Sequence, residues 1–450
     1  MKIQMPEAAN YIIQTLMAHG YEAYIVGGCV RDSVLGRTPQ DWDITTSATP
    51  EQTKALFRRT IDTGIEHGTV TIMMDHVGYE VTTYRVDGKY EDHRRPKEVT
   101  FTASLLEDLK RRDFTINAMA YNEQEGLVDI FGGAEDLRRG IIRCVGVPQE
   151  RFDEDALRIL RAVRFAAQLD FEIEAKTRQA IREKAEFLRD ISAERIQVEL
   201  TKLITSDHPE RIIDAYELGI TAIVLPEFDT MMETPQHTVY HKYDVGRHTV
   251  AVMQNIDATP VLRWAALLHD SAKPECRTTD EQGVDHFYGH PKAGKAIARR
   301  VLRRMKLDND TIQRVERLVE WHDFGLDGTV TKKTLRQALN RMGPDHFDDY
   351  AKLRRADMLG QSDYMQEKKQ QDYRHLLEMY REIWEAQECL LIRDLKLDGK
   401  DLIAMGVQPG PDMGKILNDL LQQVLEEPQL NTKEKLKELV QIKWLKDKTE

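Results

Sequence analysis

The stretch YIVGGCVRDSVLGRTPQDWDI, Tyr24 to Ile44, sets two glycines, an Arg-Asp pair and a split Asp-x-Asp close behind an apolar run. The preceding YEAYIV reads as a strand that runs into a glycine turn. Gly27 and Gly28 let backbone N–H groups approach phosphate oxygens, and Arg31 adds charge beside them. If QDWDI is a strand, Asp41 and Asp43 point to the same face and can ligate one Mg2+ or a pair. A third carboxylate on a neighbouring strand completes such a set, and Glu80 in YEVTT is the candidate. Two-metal nucleotidyl transfer needs this arrangement. One ion lowers the pKa of an attacking hydroxyl and the other carries the pyrophosphate leaving group. A surface aspartate pair alone is common, so the weight lies in its coupling to the glycines and Arg31.

Working outward, 450 residues exceed one ordinary core and predict several domains. The composition, 41% hydrophobic and 31% charged, is globular. No apolar run spans a bilayer, and MKIQMPEAAN lacks the apolar core of a signal peptide. Cys29, Cys144, Cys276 and Cys389 form no C-x-x-C, so neither a disulfide frame nor a zinc knuckle is indicated. A cytoplasmic protein without a membrane partner is expected. The net charge of −12 argues against broad electrostatic binding of nucleic acid. It leaves local basic strips: Arg94, Arg95 and Lys97; Lys110 to Arg112; Arg138, Arg139 and Arg143; and the set from Lys433 to Lys448.

Residues 7–19 have helical spacing, while HGTVTIMMD and YEVTTYRV alternate as a hairpin joined at HVG. Residues 1–130 therefore read as mixed α/β with a small sheet. From Glu150 onward helical patterns dominate, beginning with DEDALRILRAVRFAAQ. On one continuous helix Asp155 and Arg158 are neighbours. Aspartate accepts and arginine donates, so the pair can meet a base edge. Cytosine and adenine both offer an exocyclic amine to Asp155 and a ring nitrogen to Arg158. Guanine and uracil place a carbonyl where the amine should be, a mismatch costing a few kcal/mol, on the order of 1–3. Arg161 and Arg164 continue the same face towards the phosphate end. A plain helix-face ion pair, worth about 0.3–0.5 kcal/mol, is the competing account.

Five ordered segments now carry a resemblance. VGGCVRDSVLGR with DWDITTSATP, RRDFTINAMA, VDIFGGAEDLRRGIIRCVG, EDALRILRAVRF and ISAERIQVELTKLI resemble motifs A to E of the class II tRNA nucleotidyltransferases. That family holds the CCA-adding enzymes and bacterial poly(A) polymerases of the DNA polymerase beta superfamily. The resemblance implies an α+β fold: a DNA polymerase beta-like head with a small mixed sheet, then an all-α neck, body and tail. Gly28, Arg31 and Arg112, with Asp155, Arg158, Arg161 and Arg164, would bind the incoming CTP or ATP. The segment Thr83–Asp113 resembles the flexible loop that A-adding enzymes retain and CC-only enzymes shorten. Its full length favours addition of CCA, or of A. The C-terminal segment resembles the family's tail, which implies gripping the tRNA acceptor and T-arm by shape and backbone.

A second resemblance lies in the middle of the chain. LLHDSAKP, with an apolar run before its His-Asp pair and a lysine after it, resembles the HD phosphohydrolases. In matching order His248, His269, Asp270, His290, His322 and Asp357 would supply six metal ligands. Imidazoles and carboxylates suit manganese, nickel or iron as well as magnesium. His241 and His286 would support the site, and Lys273 would contact a substrate phosphate. The expected organisation is a nucleotidyltransferase head at residues 1–140, a helical neck at 141–230, an HD domain at 231–365 and a tRNA-binding tail at 366–450. CCA addition to tRNA is the expected activity. An A-adding enzyme or poly(A) polymerase, and an HD phosphohydrolase with an RNA-binding head, are the rivals. The sequence leaves the oligomeric state open.

Overall fold

The computed structural model describes residues 2–87, 90–91, 95–96, 99–325 and 328–445. Gly88, Asp92, Arg94 and Lys97 of the expected flexible loop, and Lys446 and Lys448 at the far end, lie outside the described residues, as do the side chains of Asp87 and Arg95. The contacts divide the chain into two compact units. One holds Met1–Asp229 with Arg304–Leu307, the other Thr230–Arg303 with Asp308–Glu450.

The first unit is mixed α and β. Its sheet contains β1 (Ala23–Val26), β2 (Ile44–Thr46), β3 (Thr60–Gly64), β4 (Thr69–Met74), β5 (Val77–Thr83), β6 (Ala120–Asn122) and β7 (Gly126–Val128). The order is β7-β6-β1-β2-β5-β4-β3. All four residues of β1 are buried, so it reads as a run of apolar residues rather than an alternation. Among the described strands of this sheet only β2 and β5 pair in parallel, with Ile44 opposite Val81. The β4–β5 hairpin turns on Asp75 and His76, both at positive φ (47° and 66°). That is one residue earlier than HVG suggests.

The described ends of the segment Thr83–Asp113 are tied to the rest of the unit. Arg85–Asp87 pairs with Val99–Phe101, and the helix Leu105–Lys110 puts Leu109 into a core with Tyr24, Val26, Tyr84 and Ala120. Beyond the sheet the unit is helical. Leu157–Leu169 is its central helix, packed against Ala193–Ile204.

The second unit is built of helices, with one short hairpin in which Thr278–Thr279 pairs with Asp285–His286. Val245–Gln254 packs on Phe347–Gly360, and Pro260–Leu268 packs on Asn309–Trp321. Asp244, Thr259 and Asp308 cap three of these helices with side-chain oxygens. No helix among the described residues is long and apolar enough to cross a membrane.

Candidate functional site

At the end of β1, Gly27 turns the chain with φ 78° into the helix Gly28–Val34. A side chain at Gly27 would be strained there, and its Cβ would sit 3.2 Å from Arg112 Nη1. Glycine thus lets Arg112 close over the turn. Arg112 also donates to buried Asp108 at 3.3 Å. Burial would raise the Asp108 carboxyl, but Arg112 and Arg111 outweigh it and hold it below its ordinary value. Arg31 donates to Asp32 at 2.8 and 3.0 Å and to Asn117 at 2.9 Å.

Asp41 and Asp43 do not lie on a strand as expected, because β2 begins only at Ile44. The extended backbone before it is nevertheless fixed: Val26 N–H donates to the Asp43 carbonyl at 3.0 Å. The parallel register then does what a strand would have done. Asp43 directly precedes Ile44 and Glu80 directly precedes its partner Val81, so both carboxylates arrive at one level of the sheet. Asp43 is reached by solvent, yet its carboxyl is pushed above its usual value. Partial loss of hydration acts first, Arg112 opposes, and Glu80 and Asp41 add repulsion. Carboxylates that repel Asp43 from one level of two interior strands fit a divalent cation. Their oxygens do not all converge within 4.8 Å, whereas two other groups among the described residues do.

The arginines come from Leu157–Leu169. Asp155 and Arg158 do not share a helix, which corrects the expectation. The helix Pro148–Glu154 ends, Asp155 is extended (φ −143°, ψ 102°), and a new helix starts at Leu157. Asp155 accepts from Leu157 N–H at 3.1 Å and from Arg195 Nη2 at 2.7 Å. Arg158 donates to Glu154 at 2.6 Å and to the carbonyls of Arg111 and Arg151 at 2.8 and 3.2 Å. Arg161 grips Asp113 at 2.5 and 2.9 Å. Burial of Asp113 is outweighed by Arg161 and Asn117, which hold its carboxyl well below the usual range. Arg164 donates to Glu199 at 2.8 Å, and burial pushes its guanidinium down to about 10. The Phe165 ring sits beneath Arg31, Arg161 and Arg164, at 5.1, 5.3 and 3.7 Å from its centroid.

Gly27, Gly28, Arg31, Asp43, Arg112, Asp155, Arg158, Arg161 and Arg164 all line one cavity of about 470 Å³. Sequence reading had not singled out Asp113, Asn117, Phe165 and Lys202, which line it too, nor given Arg195 any part in it. Glu199, which anchors two of the arginines, was also missed. Only the coincidence of RRD with a downstream run of arginines hinted at Asp113.

The second unit gathers the six expected ligands around Asp270. His269 and His248 Nε2 lie 3.2 and 3.5 Å from Asp270 Oδ2, while His290 and His322 Nε2 lie 3.3 and 3.5 Å from Oδ1. Asp357 Oδ1 is 3.0 Å from His248. All four rings donate from Nδ1 to a backbone carbonyl: His248 to Gly360, His269 to Ala266, His290 to Phe287 and His322 to Val319. Since a carbonyl only accepts, each ring holds its proton on Nδ1 and, in its neutral form, turns a bare Nε2 to the centre, as metal-binding histidines require. Asp323, 3.3 Å from His322 and 3.4 Å from His290, joins them without having been expected. Lys273 reaches Asp270 at 2.8 Å. His241 meets His248 edge-on, and His286 bonds Asp280. A cavity of about 570 Å³ opens over the cluster.

Comparison with known proteins places these features in a lineage. Residues 23–143 match the "Poly A polymerase head domain" family. Residues 170–232 match the family described as "Probable RNA and SrmB- binding site of polymerase A", and residues 279–440 that described as "tRNA nucleotidyltransferase domain 2 putative". The CCA-adding enzyme of Levilactobacillus brevis is 39% identical over 420 residues, 93% of each chain. That of Pediococcus pentosaceus is 37% identical over 428 residues, 94% of each. Among solved structures, the Bacillus stearothermophilus CCA-adding enzyme in complex with CTP aligns with TM-score 0.73 and 30% identity. The alignment covers 99% of this chain and 100% of that one.

Proposed function

This chain belongs to the CCA-adding enzyme family of tRNA nucleotidyltransferases, and from that premise we propose that the cavity of its first unit is where nucleotides are joined to tRNA. The activity is template-independent addition of CCA to the tRNA 3′ end from CTP and ATP, with release of pyrophosphate. The observation that carries the reading is the cavity wall, where a glycine turn, three carboxylates and eight cationic side chains face one space.

In this reading Asp41, Asp43 and Glu80 hold the divalent metal that the family uses, taken to be Mg2+. A metal held there would supply acidification of the attacking 3′-hydroxyl and charge neutralisation for the departing pyrophosphate. Gly27 and Gly28 leave room for phosphate oxygens beside Arg31 and Arg112. Arg161 and Arg164 are pre-set by Asp113 and Glu199, so little ordering is left to pay when triphosphate enters. Arg158, pinned by Glu154 and two carbonyls, is a fixed donor at the base edge, and Asp155 beside it is the acceptor. The RNA is gripped by shape, which suits an enzyme that serves every tRNA in the cytoplasm.

Staged tRNAs ending at the discriminator base, at C and at CC test this. The protein is expected to take CTP on the first two and ATP on the third. Asp43→Asn is expected to lose at least about 10³-fold in kcat on all three while still binding CTP. Failure of the unsubstituted protein to take CTP on the first tRNA would leave only A addition or poly(A) synthesis.

The histidine–aspartate cluster favours a second, additional reading, an HD-type phosphohydrolase centre. The two oxygens of Asp270 face different histidine pairs, so Asp270 and the four histidines would hold divalent metal. Mn, Ni or Fe fit such a donor set, and such a metal would supply activation of water for attack on a phosphate ester. Lys273 is placed to meet the phosphate.

A further inference from the structure

Asp155 leaves helical dihedrals, so no helix aims its side chain. Two donors aim it instead. Leu157 N–H holds Oδ1 at 3.1 Å, and Arg195 Nη2 holds Oδ2 at 2.7 Å from another element. Arg195 stands in the first turn of the helix Ala193–Ile204. That helix is fastened one turn later, where Glu199 accepts from Arg164 at 2.8 Å and lies 3.7 Å from Arg161. Arg195 and Asp155 line the same cavity as Arg158. Their side chains are only 31% and 19% exposed, so the pair is more than a solvated surface contact.

We propose that Arg195 is a positioning residue for base selection: it fixes the Asp155 carboxylate so that its remaining lone pairs meet the exocyclic amine of cytosine or adenine. An ionised carboxylate accepts at about four sites, and the two donors present leave room for the base. The inference rests on Asp155 reading the base, as set out above. A carboxylate clamped from two sides cannot turn away from a uracil or guanine carbonyl, so the mismatch is felt in full. Released from Arg195, it swings, and both the fit to correct bases and the penalty on wrong ones decline.

The test is steady-state incorporation by the full chain, using CTP against UTP on tRNA ending at the discriminator and ATP against GTP on tRNA ending in CC. Arg195→Gln is expected to raise KM for CTP and ATP about tenfold and to cut the preference for the correct base by a similar factor. Its kcat is expected to stay within about twofold. Arg195→Lys keeps the charge without the planar fork and is expected to raise KM about threefold. Arg189→Gln, which removes an exposed arginine paired with Glu186, is expected to match the unsubstituted protein. Unchanged KM and preference in Arg195→Gln, with the preference lost in Asp155→Asn, would overturn the role of Arg195 alone. Unchanged preference in Asp155→Asn would remove base reading by Asp155 itself. Should Arg195→Gln melt below the assay temperature, Arg195→Lys decides, and an unsubstituted KM in it overturns the proposal.

Discussion

Asp113 shows how a single buried carboxylate can organise a binding wall. It accepts from Arg161, from Asn117 at 3.1 Å and from Phe114 N–H at 2.8 Å. Removing one partner of such a pair strands the other, so Asp113→Asn is expected to cost about 3–5 kcal/mol in urea unfolding at pH 7. The folded pKa lies below the unfolded one, so this contribution is complete above the ordinary aspartate value of 3.8. It is lost as pH falls from there through the folded value. The stability gap between Asp113→Asn and the unsubstituted protein should therefore narrow below about pH 4. A gap independent of pH would mean that packing, not charge, is at stake. In the sequence Asp113 is one acid in a charged run, and nothing local distinguishes a buried anchor from a solvated side chain. Its partner Arg161 lies in another element.

At the scale of elements, period told more than boundaries did. The helix Leu157–Leu169 was legible from its helical pattern of apolar residues, although almost all its positions, Arg158 and Arg164 included, are buried. The break at Asp155 was not, because neither glycine nor proline marks it and the two helices flank one extended residue. The carboxylate pair was assigned to a strand that starts one residue later, yet the parallel register of β2 and β5 still delivers it to Glu80. Sequence cannot show that pairing, since the partners are distant in the chain. Gly133 gives an element-scale test. It opens the helix Gly133–Arg139, its N–H is capped by Asp129 at 2.7 Å, and a Cβ there would lie 2.2 Å from the Thr115 carbonyl. Since Thr115 Oγ1 also bonds Asp136 of that helix at 2.7 Å, the two segments cannot separate freely. Gly133→Ala is expected to destabilise the protein by about 1–3 kcal/mol and to lower its melting temperature. An unchanged melting temperature would show that the helix start yields without cost.

For the whole molecule, the two proposed sites fall in two separate compact units, so each should answer to its own substitutions. Asp270→Asn is expected to strip bound transition metal from the purified protein, by elemental analysis, while CCA addition stays within about twofold. Asp43→Asn should do the reverse. Metal content unaltered in Asp270→Asn would dismiss the cluster as a metal centre. The residues of the histidine cluster were nameable one by one through the resemblance of LLHDSAKP and the order of histidines around it, although His269 and His322 close helices, His290 opens one, and His248 and Asp357 lie within theirs. What the sequence withheld was the convergence itself and the presence of Asp323.

The order of strands in the sheet has a consequence for synthesis. β1, which carries the glycine turn, lies between β2 and β6, so Ile25 must find Tyr121 before the strand is enclosed. Contacts of such long sequence separation close slowly. On the ribosome the chain is made from its N-terminus, and the apolar β1 therefore stays half-covered until β6 emerges. A nascent chain stalled between Thr83 and Met119 holds both the glycine turn and Asp43 but cannot complete the sheet around them. Such chains should be the ones that protease cleaves and chaperones retain, and release to a resistant form should come only once β6 has left the exit tunnel.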